Sequence, residues 1–577
     1  MGGLNKTQIA LFAFLSIVNM LQGQIKNTSV NEVEMSLAPE EIFLISNSEH
    51  LLAGESLLYA ANVRRFASLE ASDISKIAYV ELIGKDRTRV FKHKLKLENG
   101  SGEGYFFIPA DLKTGNYKLV AYTNWTRNNK FKNYFVKELY IINPFLKQDK
   151  IMDPENNVVI IEMEKGNSEF NYPISDFINI KTNKNSYKPR EEIKLSIAAQ
   201  GKGSKGIYTV SVKKMDALKP IKNKVLTSSN KSNQNIFYLP EMRGELISGT
   251  VKNIEQVPVA NQNISLTIPG KDFVFKLAKT NADGEFFFNV YENYNTSEAH
   301  IQLYNPQIDR LEIEIEKRQF EELDDLEFST VALNLNIESW LTKQSIDLQI
   351  ENAYFARKKD SLIPRVSNDA FFDPLEINYK LDDYTRFPSV QETFIEVINR
   401  AGIRKEGNTY KFIVFNFENP SINSSLNELP PLILVDGILQ EDYAEIINYD
   451  ADKIEEINVV VEQYRYGPEI FGGIISFKTK NGDFRPSENL EISTDFHLIS
   501  PISKKVMYNP NYPSGVELDR IPDFRTQLLW EPNINIDEDV SNFSFFSSDN
   551  TGDYQILVEG FTATGKHVIA KSYIKVQ

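Results

Sequence analysis

From Gly54 to Trp125 the chain is written in short alternating runs, Leu57 to Val63, Ile77 to Ile83, Val90 to Leu97, Tyr105 to Ile108 and Tyr117 to Thr123, each broken by Gly, Asn or Asp. Alternation with a period of two gives a strand one apolar and one wet face. Such strands pair antiparallel and stack as two sheets. The same punctuation continues through most of the chain, and 26 Tyr and 37 Phe supply large, strand-favouring side chains. The pattern predicts a mainly β fold, a multi-domain array of antiparallel β-sandwiches. At roughly 100 to 200 residues per domain, 577 residues make about three to five domains.

Charge and composition remove whole classes of function. Lys+Arg 64 against Asp+Glu 79 gives a net charge of -15, the wrong sign for holding phosphate backbones, so nucleic acid is not an expected partner. The chain has no cysteine, which excludes disulfides, thiolate metal sites, iron–sulfur clusters and cysteine nucleophiles. His50, His93, His300, His497 and His567 are far apart in sequence, so no local His-x-x-x-His pair exists. The first 23 residues read as a signal peptide: Lys6 supplies the positive start, Ile9 to Leu21 the apolar stretch, and Gly23 a small residue before Gln24. That stretch is too short to span a bilayer, so the expectation is cleavage and an exported chain, peripheral to the membrane, with no transmembrane helix.

Particular residues then carry family resemblances. Gly54-Glu55, Tyr79-Val80-Glu81-Leu82, Gly104-Tyr105-Phe106, Gly115-Asn116-Tyr117 and Ala121-Tyr122-Thr123-Asn124-Trp125 resemble the macroglobulin-type sandwich of the alpha-macroglobulin family. Phe177 to Ser211, with Lys184-Asn185-Ser186-Tyr187-Lys188-Pro189-Arg190-Glu191, resembles the next such domain. The family's protease-trapping thioester is made from Cys and Gln; with no Cys here, the resemblance implies architecture only. Glu245 to Tyr304 is similar to the carboxypeptidase-regulatory-like sandwich, with Asp283-Gly284 as a hairpin signal between β-rich runs.

A small α/β pattern follows. Ser389-Val390-Gln391-Glu392 is a capping box that predicts a helix to Ala401, stopped by Gly402. Strands are expected at Phe412 to Phe415, Leu432 to Val435, Val459 to Val461 and Ile474 to Lys478, with a short helix near Lys453 to Ile457. Pro431 to Gly437, Tyr464-Arg465-Tyr466-Gly467 and Gly472 to Lys480 resemble the plug domain of TonB-dependent outer-membrane receptors. The 93 residues after Phe484 are too few for the large barrel that encloses such a plug. They read instead as one more sandwich. The combination resembles a group of exported Bacteroidetes proteins that pair macroglobulin-type domains with a barrel-less plug-like domain.

The resulting expectation is a signal peptide over 1–23, macroglobulin-like sandwiches over 24–147 and 148–242, and a carboxypeptidase-regulatory-like sandwich over 243–306. A linker and β-rich segment over 307–380, with an acidic run Glu321 to Asp325, then leads to a plug-like α/β domain over 381–485 and a C-terminal sandwich over 486–577. Candidate chemistry is thin. Gly201-Lys202-Gly203-Ser204-Lys205-Gly206 fits a nucleotide-binding pattern but lies between two strands with no helix to hold a phosphate, so it reads as a turn. Asp436-Gly437 reads as a turn as well. Asp382-Asp383 and Asp537-Glu538-Asp539 are adjacent acidic residues, and adjacent positions on a strand point to opposite faces, which disfavours an acid–base pair, while calcium at such oxygen-rich loops stays open. No catalytic, cofactor-binding or metal residue is assigned, and no cofactor is expected. The expected function is a non-enzymatic exported scaffold at the outer membrane, binding a β-barrel protein or other envelope complex through Tyr464, Tyr466 and Phe471 beside Gly472-Gly473. The alternatives are an extracellular glycan- or peptide-binding module, and a macroglobulin-like protein without the thioester.

Overall fold

Strand Ser56–Arg65 shows how the alternation is used twice. Leu57, Tyr59, Ala61 and Val63 enter the core of the first sandwich, while Leu58 and Ala60 on the other face pack with Ile45 against Trp530 from the far end of the chain. A strand buried on both faces belongs between two sandwiches, and this one lies there. The computed structural model describes residues 37–128, 134–147, 158–164, 176–220, 237–306, 310–316, 323, 326–407, 409–417, 429–486, 493–512 and 518–577. The segment read as a signal peptide, residues 1–23, and nearly all of the acidic run Glu321 to Asp325 lie outside the described residues.

In the N-terminal sandwich, Ser56–Arg65 lies between Glu40–Ser46 and Ser101–Phe107. Facing them is a five-stranded sheet in the order His50–Leu52, Phe135–Ile142, Gly115–Tyr122, Ile77–Ile83, Arg89–Lys96. The next sandwich is split in sequence. Ile178–Thr182 and Glu192–Ala199 are joined by Ser541–Phe546 in one sheet. Gly206–Lys214 lies between Gly552–Thr562 and Gln527–Ile536 in the other. The segments expected to form separate sandwiches over 148–242 and 486–577 therefore share one core, with Ile193, Leu195, Val210 and Val212 packed against Phe545, Ile556, Val558 and Ile574. Each contributes about half a sandwich, so neither can close its own core.

Within that split lies a second one. Glu245–Lys252, Glu285–Val290 and Glu312–Ile315 form one sheet of a small sandwich. The other runs Val274–Lys279, Asn263–Ile268, Glu298–Tyr304, Ser493–His497, taking its last strand from beyond the α/β domain. The Asp283-Gly284 turn, read as a hairpin, is a corner between these two sheets: Gly284 has φ +71°, and the strands it joins pair with different partners. The α/β domain has the mixed sheet Ile377–Lys380, Ile454–Val460, Ile474–Thr479, Leu432–Val435, Ile438–Leu439, backed by helices Val390–Glu396 and Tyr443–Ile447 and the hairpin Ala401–Glu406/Thr409–Val414. It is nested in the small sandwich, which is nested in the split sandwich.

Helix positions are corrected in three places. Ser389 Oγ accepts the Glu392 N–H at 3.3 Å, as the capping box requires, but the helix stops at Glu396 and Ala401 opens the hairpin by pairing with Val414. Near Lys453 there is a single 3-10 turn, Ala451–Lys453, because Ile454–Val460 is recruited on both sides by Ile377–Lys380 and Ile474–Thr479. The longest helix among the described residues, Glu338–Ala353, lies in the segment expected to be linker and strand. Its buried residues are Ser345 and Asp347, so no apolar stripe announces it.

Buried charges bolt the sandwiches together. Lys94 of the N-terminal sandwich is buried against Glu245 of the small sandwich, and its Nζ donates to Tyr294 Oη at 3.1 Å. Removing one partner of such a pair costs about 3–5 kcal/mol, because the other is left charged in the dark. Helix Glu338–Ala353 is tied to the split sandwich by Lys358, which pairs with Glu351 at 2.6 Å, while Glu351 also accepts the Phe524 N–H at 2.7 Å. Asp523 and Arg525 beside them form a bidentate pair with both contacts at 2.8 Å.

The seam between the N-terminal and split sandwiches contains a costlier arrangement. Arg64 lies 4.0 Å above the Phe561 ring, and its cross-strand neighbour Glu41 has a buried Oε1 with no hydrogen-bond partner. Burial raises the Glu41 carboxyl from 4.5 to about 7, against the attraction of Arg64. A folded-state pKa above the unfolded one stabilises fully below the unfolded value and is lost as pH rises through about 7. Glu41→Gln should therefore match the wild type near about pH 4 and become the more stable protein near about pH 8, measured as the denaturant midpoint. An offset that does not change with pH would contradict this.

Candidate functional site

Strand Leu432–Val435 turns back into Ile438–Leu439 through Asp436 and Gly437, both left-handed at φ +48° and +85°, the geometry of a two-residue hairpin. Asp436 is fully buried and fully used. Its carboxylate accepts the Thr479 N–H at 2.8 Å, the Thr479 hydroxyl at 2.6 Å and the Phe484 N–H at 3.0 Å. It holds the turn and is shielded from any substrate. Gly437 does the docking: its carbonyl accepts the Thr267 hydroxyl at 2.9 Å, and a Cβ there would lie 2.5 Å from the Phe273 ring.

Tyr464, Tyr466 and Phe471 belong to this same internal joint. They sit on the ribbon Tyr464–Tyr466/Glu469–Phe471, which lies across strand Val274–Lys279 of the small sandwich. The Tyr466 hydroxyl donates to the Phe275 carbonyl and the Tyr464 hydroxyl to the Phe371 carbonyl, each at 2.6 Å, and the Tyr466 and Phe371 rings are 4.2 Å apart. Phe471 is 1% exposed. These residues, expected at an external contact, are instead packed against the chain's own small sandwich, because Val274–Lys279 and Phe371 fill the face they present.

That joint covers one half of a sheet face and leaves a cleft over the other. The cleft, about 480 Å³, has the strands Glu298–Tyr304 and Ser493–His497 as its floor and residues 438–445 of the α/β domain as its wall. On the floor His300 Nδ1 meets Asp495 Oδ1 at 2.6 Å, and Glu298 pairs with Arg485. On the wall Asp442 caps helix Tyr443–Ile447 by accepting the Ala444 N–H at 3.0 Å. Glu441 accepts the Asn305 N–H at 2.7 Å, and burial pushes its carboxyl up. The cleft is polar and acidic.

Sequence reasoning missed this cleft because its floor combines strands almost two hundred residues apart. His300 and His497, distant in the chain, stand on adjacent strands, His300 opposite Asp495 and His497 opposite Glu298. Ser493-Thr494-Asp495-Phe496-His497 does alternate as a strand with one wet face. Nothing in those five residues says which sheet they join. Of the other candidates, Gly201 to Gly206 forms the turn expected, with a 3-10 segment at Lys202–Ser204 between two strands. Asp382 pairs with Arg386, and Asp537 accepts the Asp539 N–H at 2.9 Å. Among the described residues, no three His, Asp or Glu side chains come together to hold a metal ion. No helix among them is long and apolar enough to cross a membrane, a statement that does not touch strands.

No known family profile matches the chain, and no curated protein matches it. Solved structures give faint likenesses. Salmonella alpha-2-macroglobulin reacted with methylamine is 9% identical, with 93% of this chain and 40% of that chain covered at a TM-score of 0.23. Escherichia coli alpha-2-macroglobulin activated by porcine elastase is 9% identical, with 93% and 44% covered at 0.24. The Escherichia coli adhesin FdeC is 12% identical, with 30% and 45% covered at 0.14. The chain thus spans less than half the length of these alpha-2-macroglobulins. At such identities and scores the likenesses assign neither family nor function; the multi-sandwich fold rests on the sheet topology itself.

The joint can be tested at its tightest point. Gly437→Val places a Cβ against Phe273 at a left-handed φ, and should destabilise the docked arrangement by about 2–4 kcal/mol. Thermal unfolding checks the loss, and increased solvent exposure of Tyr464 and Tyr466 locates it. An unchanged midpoint would show that the turn does not carry the joint.

Proposed function

We propose that the chain is a non-enzymatic exported interaction scaffold, which holds its plug-like α/β domain against an outer-membrane β-barrel or another envelope complex. One observation supports this best. The α/β domain is fixed to the small sandwich by one sheet face, whereas its helix-and-hairpin end carries Ile395, 71% exposed, and Phe417, 59% exposed. Phe417 is stacked on Phe415 with Arg400 5.3 Å from its ring, so the aromatic is held ready. Large apolar groups held rigid at the surface are the usual anchors of protein interfaces. With Tyr464, Tyr466 and Phe471 engaged internally, this end takes over the external role first expected of them.

A second reading, an extracellular ligand binder, is favoured by the cleft between the small sandwich and the α/β domain. The two readings differ in what accompanies the protein. Purified from membranes in mild detergent, the full chain should bring with it a β-barrel protein identifiable by mass spectrometry, and Ile395→Asp/Phe417→Asp should reduce that recovery about tenfold or more with an unchanged unfolding midpoint. A barrel recovered equally with the double variant, or no barrel with the wild type, would contradict the scaffold proposal.

A further inference from the structure

Strand Ser493–His497 ends its sheet, and its backbone parity is fixed. The Leu498 N–H donates to the Ser297 carbonyl at 2.7 Å, so Phe496 and Thr494, two and four residues earlier, also face strand Glu298–Tyr304. Ser493, Asp495 and His497 must then turn their N–H and C=O groups away from it. Among the described residues no further strand pairs with them. The run has neither the lysines nor the proline or bulge by which natural edges ward off a neighbour. This open edge borders the 480 Å³ cleft.

Charge selects the occupant. Glu298, Glu441, Asp442, Glu445 and Asp495 line the cleft against a single guanidinium, Arg485, which is already paired with Glu298. Asp495 is 79% exposed, with its carboxylate at the edge itself. A strand added beside Ser493–His497 would turn alternate side chains to the same face as Asp495 and His497, towards the wall that carries Glu441 and Asp442. Its intervening side chains would turn towards Phe496 and the small-sandwich core. Lysine or arginine suits the first set and an apolar residue the second.

We infer that Ser493–His497 is a strand acceptor: an extended peptide segment of a partner, alternating basic and apolar residues, adds to the small sandwich as its next strand and lies along the acidic cleft. Main-chain hydrogen bonds supply affinity and the carboxylates supply the choice of partner. This deepens the interaction-scaffold reading by giving a second contact point, separate from the helix-and-hairpin end.

The full chain can be titrated into a fluorescent nine-residue peptide alternating valine and lysine, followed by anisotropy. It should bind that peptide at least about tenfold more tightly than one alternating valine and glutamate, and the preference should shrink with added salt. Glu441→Lys/Asp495→Lys should reverse the preference. Asp495→Pro, which removes one outward donor at an edge where proline is tolerated, should weaken binding about tenfold. Should that variant misfold, a valine–lysine peptide methylated on the backbone amides of its pairing edge asks the same question of the wild type and should fail to bind. Equal binding of the two charge types, undiminished binding of the methylated peptide, or no binding of the valine–lysine peptide would overturn the inference. Those results with barrel recovery intact would leave the scaffold reading standing; peptide binding without barrel recovery would remove the barrel and keep the strand acceptor.

Discussion

Strand Gly206–Lys214 is hydrogen-bonded on one side to Gly552–Thr562 and on the other to Gln527–Ile536. Both partners come from the far end of the chain, and the small sandwich, helix Glu338–Ala353 and the α/β domain lie between in sequence. Closing a flexible loop costs more as it lengthens, about 0.6 kcal/mol per doubling, so a gap of some three hundred residues would cost about 3 kcal/mol more than one of ten. The inserted residues are folded, with their own ends held together, and most of that cost is discharged within the small sandwich and the α/β domain. What remains is met by a core in which Tyr208, Val210, Val212, Ile556 and Val558 are all essentially fully buried.

Nesting by itself would leave each insert on a pair of linkers, free to swing. The buried joints prevent this. Lys94, Glu245 and Tyr294 tie the N-terminal sandwich to the small one, Lys358 and Glu351 tie helix Glu338–Ala353 to the split sandwich, and Gly437 with Tyr464 and Tyr466 fixes the α/β domain. Each joint places polar groups where they are satisfied in one arrangement only, and an arrangement that breaks them leaves a charge or a hydroxyl stranded. Such rigidity suits a protein that presents surfaces to partners, because a contact is stronger when its geometry is fixed beforehand. The cleft owes its shape to these joints: its floor and wall come from different modules and stay apart because Phe275, Phe371 and Tyr466 fill the space beside them.

The strands were the legible part. Ile77–Ile83 and Leu432–Val435 have the bounds that alternation and apolar runs predict, and Ser389 caps its helix as the local pattern requires. These features depend on neighbours in sequence. What escaped depends on neighbours in space. Thr526 to Lys571 alternates like a sandwich of its own, and nothing in it tells that half the core comes from Ile193 to Val212. Helix Glu338–Ala353 is mostly polar and was missed because its apolar contact is small: Trp340, Leu341 and Leu348 pack, only partly buried, on a cluster that includes Leu52 and Ile161 from far earlier in the chain. Tyr464, Tyr466 and Phe471 stood out in the sequence and were expected at a contact with another protein. Whether that contact is inside or outside the chain is decided by Val274–Lys279, nearly two hundred residues earlier. The acidic floor of the cleft escaped for the same reason, since Asp495 acquires its meaning only opposite His300.

The central claim is that residues 178–214 and 527–576 are one cooperative unit closed around folded inserts, and native-state hydrogen exchange measures it directly. Under low denaturant, the amides of Gly206–Lys214 and Gly552–Thr562 should open with a single shared free energy and a single denaturant slope. That slope should differ from the one for Ile454–Val460 and Ile474–Thr479 in the α/β domain. If Gly552–Thr562 keeps its protection while Gly206–Lys214 has already exchanged, the two ends of the chain fold independently and the account of a split sandwich is wrong.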